Sequence, residues 1–229
     1  MTTERSAPQP GTARPTAAAR RRAREQEILA ATRELLDAGG VRDAQIEEVA
    51  QAVGVNRAII YRHFTGKEEL LALTLVGYLD ELAGELDAAG SGERAAMSRL
   101  TAMTEAFVDF GLRYPAFVDC AQALMRRTAP ELLEEISESA MLRLGRAMTA
   151  CLNQIGQVLE DGMAAGEFRS VDSVLLANHM YASGLGALQL ARLGMLVKES
   201  ESGLPMMTPV SAEQVKKYLV TTARALAAD

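Results

Sequence analysis

The sequence predicts an all-α fold, and three observations lead to that prediction. Nearly half of the 229 residues are apolar, which is enough to bury a sizeable core. Aromatic residues make up only 4% and tryptophan is absent, whereas Ala, Leu, Met, Glu and Arg are abundant, and this composition favours helices. Apolar residues recur at three- and four-residue steps along most of the chain, and no segment has a convincing strand pattern.

Three short helices are predicted in the N-terminal part. The first spans about 23–38 and ends at two glycines, and the second, which begins near Ile46, ends at Gly54. Asn56 stands where the N-cap of a third helix belongs, and that helix covers residues 57–63. Because two turns are unstable alone, the other two helices must support it.

The rest of the chain predicts longer helices. Thr65 and Glu68 have capping-box spacing, which predicts a fourth helix that runs to about residue 88. Further helical patterns cover residues 94–112, 115–127, 130–165, 172–197 and 212–227. Prolines stand in the first turn of the helices that begin at 115 and 130, and a polar stretch links the last two helices.

The cysteines and the N-terminus indicate a cytoplasmic protein. Cys120 and Cys151 lie in predicted helices, and no second pair has metal-ligand spacing, so we expect neither a disulfide framework nor a metal site. Residues 1–22 are basic, lack the apolar core of a signal peptide and are predicted to be disordered. Residues 173–191 carry no charge, but their Asn, His, Gln and Ser favour a helix buried by a partner over a membrane span.

Charge is divided unevenly along the chain, whose net charge is −6. Residues 1–67 hold 11 Lys and Arg against 8 Asp and Glu, a balance of +3, whereas residues 68–229 hold 13 against 22, a balance of −9. Four arginines cluster just before the first predicted helix: Arg20, Arg21, Arg22 and Arg24. This asymmetry suggests a basic head and an acidic body; the alternative is that the arginines only keep a disordered tail soluble.

The segment around Gly54 has the pattern of a helix-turn-helix. A helix, a glycine turn at residues 53–56 and a short helix with a polar, basic face follow one another. In such a motif the second helix enters the major groove of DNA. Val55 is expected to fill the seam between the two helices.

The run IEEVAQAVGVNRAIIYRHFTGKEELLALTL resembles the DNA-binding head of the TetR family of transcriptional regulators. The residues that fit the family pattern are Ile46, Val49, Ala50, Gly54, Tyr61, His63, Phe64, Lys67 and Glu68. The resemblance implies an all-helical homodimer with an N-terminal DNA-binding head and a variable effector-binding body. We divide the chain accordingly into a basic arm (1–22), a helix-turn-helix DNA-binding domain (23–67) and an effector-binding and dimerisation domain (68–229).

Phosphate contacts are predicted at two places in the head. Tyr61, His63 and Lys67 offer hydrogen-bond donors to phosphate oxygens, beside the positive end of the fourth helix. Arg20, Arg21 and Arg22 are expected to follow the DNA backbone or to enter a minor groove. Outside this motif a lone histidine more often packs than binds, and part of the tyrosine ring is expected to pack. Phe64 is assigned wholly to the core.

Base contacts are predicted at the start of the third helix. Asn56, Arg57 and Ala58 are expected to reach base edges, and Arg57 is best suited to guanine. Two residues depart from the family pattern. Gln45, a poor cap with a longer reach, stands where the family usually has a Ser or Thr that caps the second helix and touches a phosphate, and it is kept among the predicted DNA-binding residues. Ile59 replaces a hydroxyl residue, so it cannot donate a hydrogen bond but can contact a thymine methyl.

The body is expected to provide a dimer interface. Ser183, Ala187 and Ala191 lie four residues apart on the uncharged helix and give it a small-residue face that lets another helix approach. With the last helix it is predicted to form a four-helix bundle across a two-fold axis. The predicted interface residues are Ser183, Ala187, Leu190, Ala191, Val215, Leu219 and Leu226. The alternative is an ordinary core helix within one chain.

An apolar effector pocket is predicted among the middle helices. Its candidate residues are Phe107, Phe110, Gln122, Met125, Met148, Cys151, His179 and Met180, with Tyr181 as a further polar group. Methionine at helical spacing is also typical of an ordinary core. A ligand there would act by its different affinity for two spacings of the heads, transmitted by the fourth helix.

The expected function is that of a homodimeric repressor of double-stranded operator DNA, released by a small apolar effector, with no cofactor and no membrane association. An enzyme is not expected, because neither His63 nor His179 has a glutamate three residues before it, and nucleophile elbow and P-loop are absent from the sequence. The alternative is a helical ligand-binding or scaffold protein whose head no longer binds DNA. The departures at Gln45 and Ile59 and the acidic total motivate that alternative.

Overall fold

The computed structural model describes residues 16–40, 45–92 and 95–228, and within these ranges the chain forms ten helices and one two-stranded hairpin. The elements are α1 (Ala17–Gly39), α2 (Ile46–Ala52), α3 (Arg57–Ile60), α4 (Lys67–Gly90), α5 (Ala96–Arg113), α6 (Pro115–Met125), α7 (Ala129–Glu135), α8 (Glu138–Ala164), α9 (Ser173–Leu193), β1 (Met195–Glu199), β2 (Pro205–Pro209) and α10 (Ala212–Ala227). The prediction of an all-α fold is confirmed. Most predicted helices are present with ends shifted by a few residues.

The first helix begins six residues earlier than predicted. Thr16 caps α1, because its hydroxyl oxygen accepts a hydrogen bond from the Ala19 N–H at 3.2 Å. Arg20, Arg21 and Arg22 therefore lie on the first turns of a helix and not in a disordered arm that precedes it. The first 15 residues of the predicted arm lie outside the described residues.

The prediction of one helix over 130–165 is wrong, because the chain breaks between α7 and α8. Ile136 is extended, with φ −124° and ψ 148°, and its side chain is buried in the core. Ser137 then caps α8 and accepts a hydrogen bond from the Ala140 N–H. Burial of one isoleucine and a new N-cap thus interrupt a pattern that reads as continuous in the sequence.

The sequence pattern also misses the β-hairpin. Gly194 adopts a left-handed conformation, with φ 68°, and ends α9 four residues before the predicted end. The chain then turns back on itself, and β1 pairs antiparallel with β2 in a register that places Val197 opposite Met207. Both strands are exposed along almost their whole length. Because prolines stand at both ends of β2 and a polar turn precedes it, the sequence pattern predicts a linker here and not a strand.

The predicted capping box of the fourth helix does not form. Gly66 is the N-cap of α4, and the Thr65 backbone N–H donates to Glu69 Oε2 at 2.5 Å, not to Glu68. The Thr65 hydroxyl donates to the carbonyl oxygen of Glu135 at 2.9 Å. Tertiary partners thus override the local cap. The caps at Asn56 and Ser211 are confirmed.

Helix α4 is the central element and holds the N-terminal helices on the rest of the molecule. It packs against α1, α5, α6 and α8, and half of its residues are buried. The hydroxyl of Tyr78 on α4 donates to Asp37 Oδ1 on α1 at 2.6 Å, and Arg33 on α1 pairs with Glu81 on α4 at 2.6 Å. The Arg33 guanidinium also lies 4.2 Å from the centre of the Tyr78 ring. Helix α1 is therefore fixed in position relative to the body.

The uncharged segment that matches the length of a bilayer forms most of α9. Among the helices of the described ranges, none is both long enough and apolar enough to span a membrane.

Candidate nucleic-acid interface

The turn between α2 and α3 depends on Gly54. This residue has φ +70°, a backbone conformation that residues with a side chain rarely adopt, and a Cβ placed on it would meet no atom within 4 Å. The Val55 N–H donates to the carbonyl oxygen of Ala50 at 2.9 Å, and the Val55 side chain packs against the core, as predicted for the seam. The glycine is therefore required by the backbone and not by lack of space.

Helix α3 is short but anchored at both ends. Asn56 Oδ1 accepts from the Ile59 N–H at 3.1 Å, and Ile60 and Phe64 are buried in the core. Regular helix ends at Ile60, three residues before the predicted end, but helical hydrogen bonding continues as far as the Phe64 N–H. Because these residues fix the helix against the core, its polar face is exposed to solvent. Phe64 is a core residue, as predicted.

The predicted base-reading residues lie together at the start of α3. Asn56, Arg57 and Ala58 are exposed, whereas Ile59 is half-buried. Arg57 Nη1 pairs with Glu47 of α2 at 2.6 Å, and Nη2 lies 3.5 Å from the Tyr61 hydroxyl. Half of each partner in the ion pair is solvent-exposed, so this contact is weak and can exchange for a base edge.

Tyr61 and His63 follow on the same short segment. Tyr61 is half-exposed, whereas His63 is mostly covered, and its Nδ1 is buried with no hydrogen-bond partner in the described part of the chain. Burial lowers the pKa of His63 below 6.5, and the positive charges of Arg21 and Arg24 lower it further, against an opposing effect of Glu25. At neutral pH this imidazole is uncharged in the free protein and is a weaker phosphate ligand than an imidazolium.

Arg21 lies beside this segment, although it is forty residues away in sequence. Together with Tyr61, Arg62 and His63 it lines a cleft between α1, α3 and the body. Arg20 and Arg22 are exposed on the same turns of α1. The structure thus brings Arg21 of the predicted arginine cluster next to Tyr61 and His63, two of the predicted phosphate-binding residues.

The cleft also includes a cation from the body that sequence analysis missed. Arg143 of α8 lines it and pairs with Glu25 of α1 at 2.5 Å. A residue from the body cannot be assigned to the head by a local motif, because only tertiary packing brings it there. No signal in the sequence marks it.

Gln45 and Lys67 stand at helix starts on either side of α3. Gln45 is exposed at the N-cap of α2, and its backbone N–H donates to Glu48 Oε2 at 2.9 Å. Glutamine therefore occupies the cap position although it is a poor capping residue. Lys67 is the first residue of α4 and is half-buried, with Glu68 and Glu69 directly after it.

The body contains an apolar cavity enclosed by α4, α5, α8, α9 and α10, which we call the body cavity. Of the predicted pocket residues, Phe107, Cys151 and Met180 line it, together with Tyr181. The five others do not line it: Phe110, Gln122, Met125, Met148 and His179. Phe110 is wholly buried among other aromatic rings, Gln122 is hydrogen-bonded to Gln189 at 2.8 Å, and Met125 is 56% exposed.

The predicted interface residues are also divided. Ser183, Leu219 and Leu226 face the body cavity, and Val215 is buried within the chain. Ala187 and Ala191 are half-buried, and only Leu190 is exposed. The solvent-facing side of α9 and α10 is formed instead by Leu175, Ala182, Gly186, Leu190, Leu193, Tyr218, Thr221 and Ala225, a set we call the outer face.

Comparison with known proteins gives a consistent result. Residues 28–73 match the family described as bacterial regulatory proteins, tetR family. Over 157 residues, 67% of this chain and 72% of the relative, the sequence is 27% identical to the HTH-type transcriptional repressor KstR2 of Rhodococcus jostii. It is 26% identical to the nucleoid occlusion factor SlmA of Cronobacter sakazakii over 73% of this chain and 82% of that protein. A crystal structure of a tetR-family regulatory protein from Rhodococcus RHA1 superposes with a TM-score of 0.63 at 19% identity, covering 90% of this chain and 98% of that one.

Proposed function

We propose that this chain, which belongs to the TetR family of bacterial regulatory proteins, is a homodimeric repressor that leaves its operator DNA when a small apolar effector binds. The DNA-binding domain is assigned to residues 23–67, preceded by the arginines at the start of α1, and the effector-binding and dimerisation domain to residues 68–229. The observation that carries the proposal is the exposed start of α3. The Asn56 cap and the Gly54 turn hold it in place, and a cleft lined by Arg21 and Arg62 follows it.

The positive charge of the arginines near this cleft supports DNA as the partner. Arg20, Arg21 and Arg22 on α1 and Arg62 after α3 are exposed, and Arg21 and Arg62 line the same cleft as Tyr61 and His63. Cations of this kind contact phosphates and release counterions, whereas Asn56 and Arg57 are the residues suited to base edges. The acidic balance of the whole chain resides in residues 68–229.

The outer face supports dimerisation. Apolar side chains that are 36% to 75% exposed recur along it, among them Leu175, Leu190, Leu193 and Tyr218. The hairpin that joins α9 to α10 adds three further exposed apolar residues, Val197, Leu204 and Met207. Exposed apolar side chains in this number are typical of a protein interface, and two symmetric heads are what half-site recognition requires.

The sense of regulation rests on a relative and on packing. KstR2, to which the chain is similar, is a transcriptional repressor. The body cavity adjoins α4, which carries the head, and also α9 and α10, which carry the outer face. A ligand that changes the spacing of these helices changes the spacing of the two heads, and binding to DNA is lost if the ligand prefers the wrong spacing.

Binding to the DNA directly upstream of the protein's own coding region tests this function. We expect the affinity in an electrophoretic mobility assay to fall steeply as salt rises from 50 to 200 mM, by about 10³-fold or more for a dimer that contacts several phosphates. Arg57→Ala is expected to weaken binding by about tenfold and to relax specificity at one base pair of each half-site. Arg126→Ala, at an exposed position at the end of α6, is the matched control and should bind as the unchanged protein does.

Absent or salt-insensitive binding would favour the alternative function, a helical ligand-binding or scaffold protein that has lost DNA recognition. Equal losses in Arg57→Ala and Arg126→Ala would show that only net charge matters.

A further inference from the structure

The lining of the body cavity carries no formal charge. Its sixteen residues, all in the described part of the chain, include no Asp, Glu, Lys, Arg or His. A buried carboxylate or phosphate with no opposite charge is strongly disfavoured, because desolvation of the ion is not compensated. The cavity therefore selects against ionised ligands.

Most polar groups of the lining are already engaged by their own helices. The hydroxyl of Thr104 donates to the Leu100 carbonyl oxygen at 2.7 Å, that of Ser183 to the His179 carbonyl at 2.8 Å, and that of Thr222 to the Tyr218 carbonyl at 3.0 Å. The Cys151 thiol lies 3.3 Å from the Leu79 carbonyl oxygen. None of these donors is available to a ligand without the loss of an existing hydrogen bond.

Tyr181 differs from them. Its hydroxyl has no hydrogen-bond partner among the residues that the structure describes, and its ring packs edge-on against Phe107 with the centroids 6.1 Å apart. Phe107 is held in turn against Gly184, where a Cβ would come within 2.6 Å of the ring. Burial raises the pKa of Tyr181, so the hydroxyl keeps its proton and remains a donor at any ordinary pH.

We propose that the body cavity takes a neutral, largely apolar ligand with one hydrogen-bond acceptor, such as a ketone or ester oxygen, which accepts from the Tyr181 hydroxyl. This inference names the effector class and rests on the proposed function. The cavity volume is only about 40 Å³, so the ligand enters by displacing the flexible side chains of Met103 and Met180. Leu219 and Ala223 of α10 also line the cavity. Because α10 carries part of the outer face, a shift of this helix is the route by which the ligand would act on that face.

Three probes of nearly equal size separate the possibilities: 1-indanone, indane and indane-1-carboxylate. Isothermal titration of the full-length protein at pH 7.5 is expected to show 1-indanone binding about fivefold more tightly than indane. The carboxylate should bind at least about tenfold more weakly than the ketone. In Tyr181→Phe the ketone should fall to the affinity of indane, with the affinity of indane unchanged. Tyr114→Phe, at a half-buried tyrosine that does not line the cavity and donates its hydroxyl to Glu81, is the matched control and should keep the fivefold preference.

Equal or tighter binding of the carboxylate would overturn the proposal, as would a ketone preference that survives in Tyr181→Phe, or no binding of any probe. Parallel mobility assays with the upstream DNA distinguish this failure from that of the proposed function. If DNA binding is absent but the ketone preference is present, the repressor function is wrong and the ligand class stands. If DNA binding is normal and the preference is missing, only the ligand class is wrong.

Discussion

Most candidate functional residues of the head are exposed to solvent, whereas those of the body line an internal cavity. In the head, the candidate residues lie within about twenty positions around α3 and on the first turns of α1, and all but the partly covered His63 and Lys67 are exposed. In the body, the candidate residues come from five helices and face inward to a cavity. A surface site tolerates substitution without loss of the fold, whereas an inward site shares its residues with the core. A substitution in the head can therefore change recognition without changing stability, whereas a substitution in the body cavity is expected to change both.

The two regions meet at Glu69 of α4, a buried carboxylate. One of its oxygens accepts from the Thr65 N–H at 2.5 Å, and the other accepts from the hydroxyl of Ser137 at the start of α8. Thr65 itself bonds to the carbonyl oxygen of Glu135 at the end of α7. The break between α7 and α8, unexpected from the sequence, thus supplies the groups that hold the end of the head.

The largest expected effect is in the body core. Phe117 is completely buried and packs edge-on against Phe107 and Phe110. We expect Phe117→Ala to lower the free energy of unfolding by about 3–5 kcal/mol in urea titrations, because it removes apolar contacts and leaves a cavity. Arg57→Ala in the head should change it by less than about 0.5 kcal/mol. Comparable losses in the two variants would contradict the separation of head and body.

The sequence predicts the head better than the body, because local rules determine more of the head. The cap at Asn56, the turn at Gly54 and the burial of Phe64 depend on local rules of capping, backbone conformation and spacing, and all three are confirmed. Thr65 was predicted wrongly because its partners, Glu69 and Glu135, belong to tertiary structure. Local patterns cannot weigh such partners.

In the body, apolar periodicity predicts helices but not which side of a helix faces which neighbour. Phe110 and Met125 look alike as pocket candidates, yet the first is wholly buried and the second mostly exposed. Leu219 and Leu226 were assigned to the dimer interface and line the cavity instead. The rotation of a helix about its axis depends on all its neighbours, and a single sequence does not provide them.

A smaller effect is expected at the junction between the regions. Burial raises the pKa of Glu69, but hydrogen bonds from Ser137 and Thr65 outweigh it and bring the pKa below the usual value. The carboxylate therefore stabilises the fold above the unfolded-state pKa of 4.5, and this contribution is lost as the pH falls through the lower folded-state value. Glu69→Gln should cost about 1–3 kcal/mol at pH 7.

Urea titrations of Glu69→Gln and the unchanged protein at pH 7, 5 and 3 measure this contribution. The difference between the two should shrink below pH 4.5. Glu68→Gln, at the neighbouring and more exposed position, is the control and should show a smaller difference at pH 7. A difference for Glu69→Gln that stays constant from pH 7 to pH 3 would mean that the charge of Glu69 does not matter.

The smallest effect is expected at the head surface, from His63. Its pKa in the free protein is lowered by burial and by Arg21, so the imidazole is neutral at pH 7.5, whereas a nearby DNA phosphate favours the protonated form. Affinity for DNA should therefore rise as the pH falls from 7.5 towards 5.5, by about two- to fivefold, since a partly covered imidazolium makes only a weak phosphate contact in each head. The chain has only two histidines, so His63→Gln should abolish the rise and His179→Gln should keep it. A rise that persists in His63→Gln would remove the histidine from the interface and leave phosphate binding to the arginines of α1 alone.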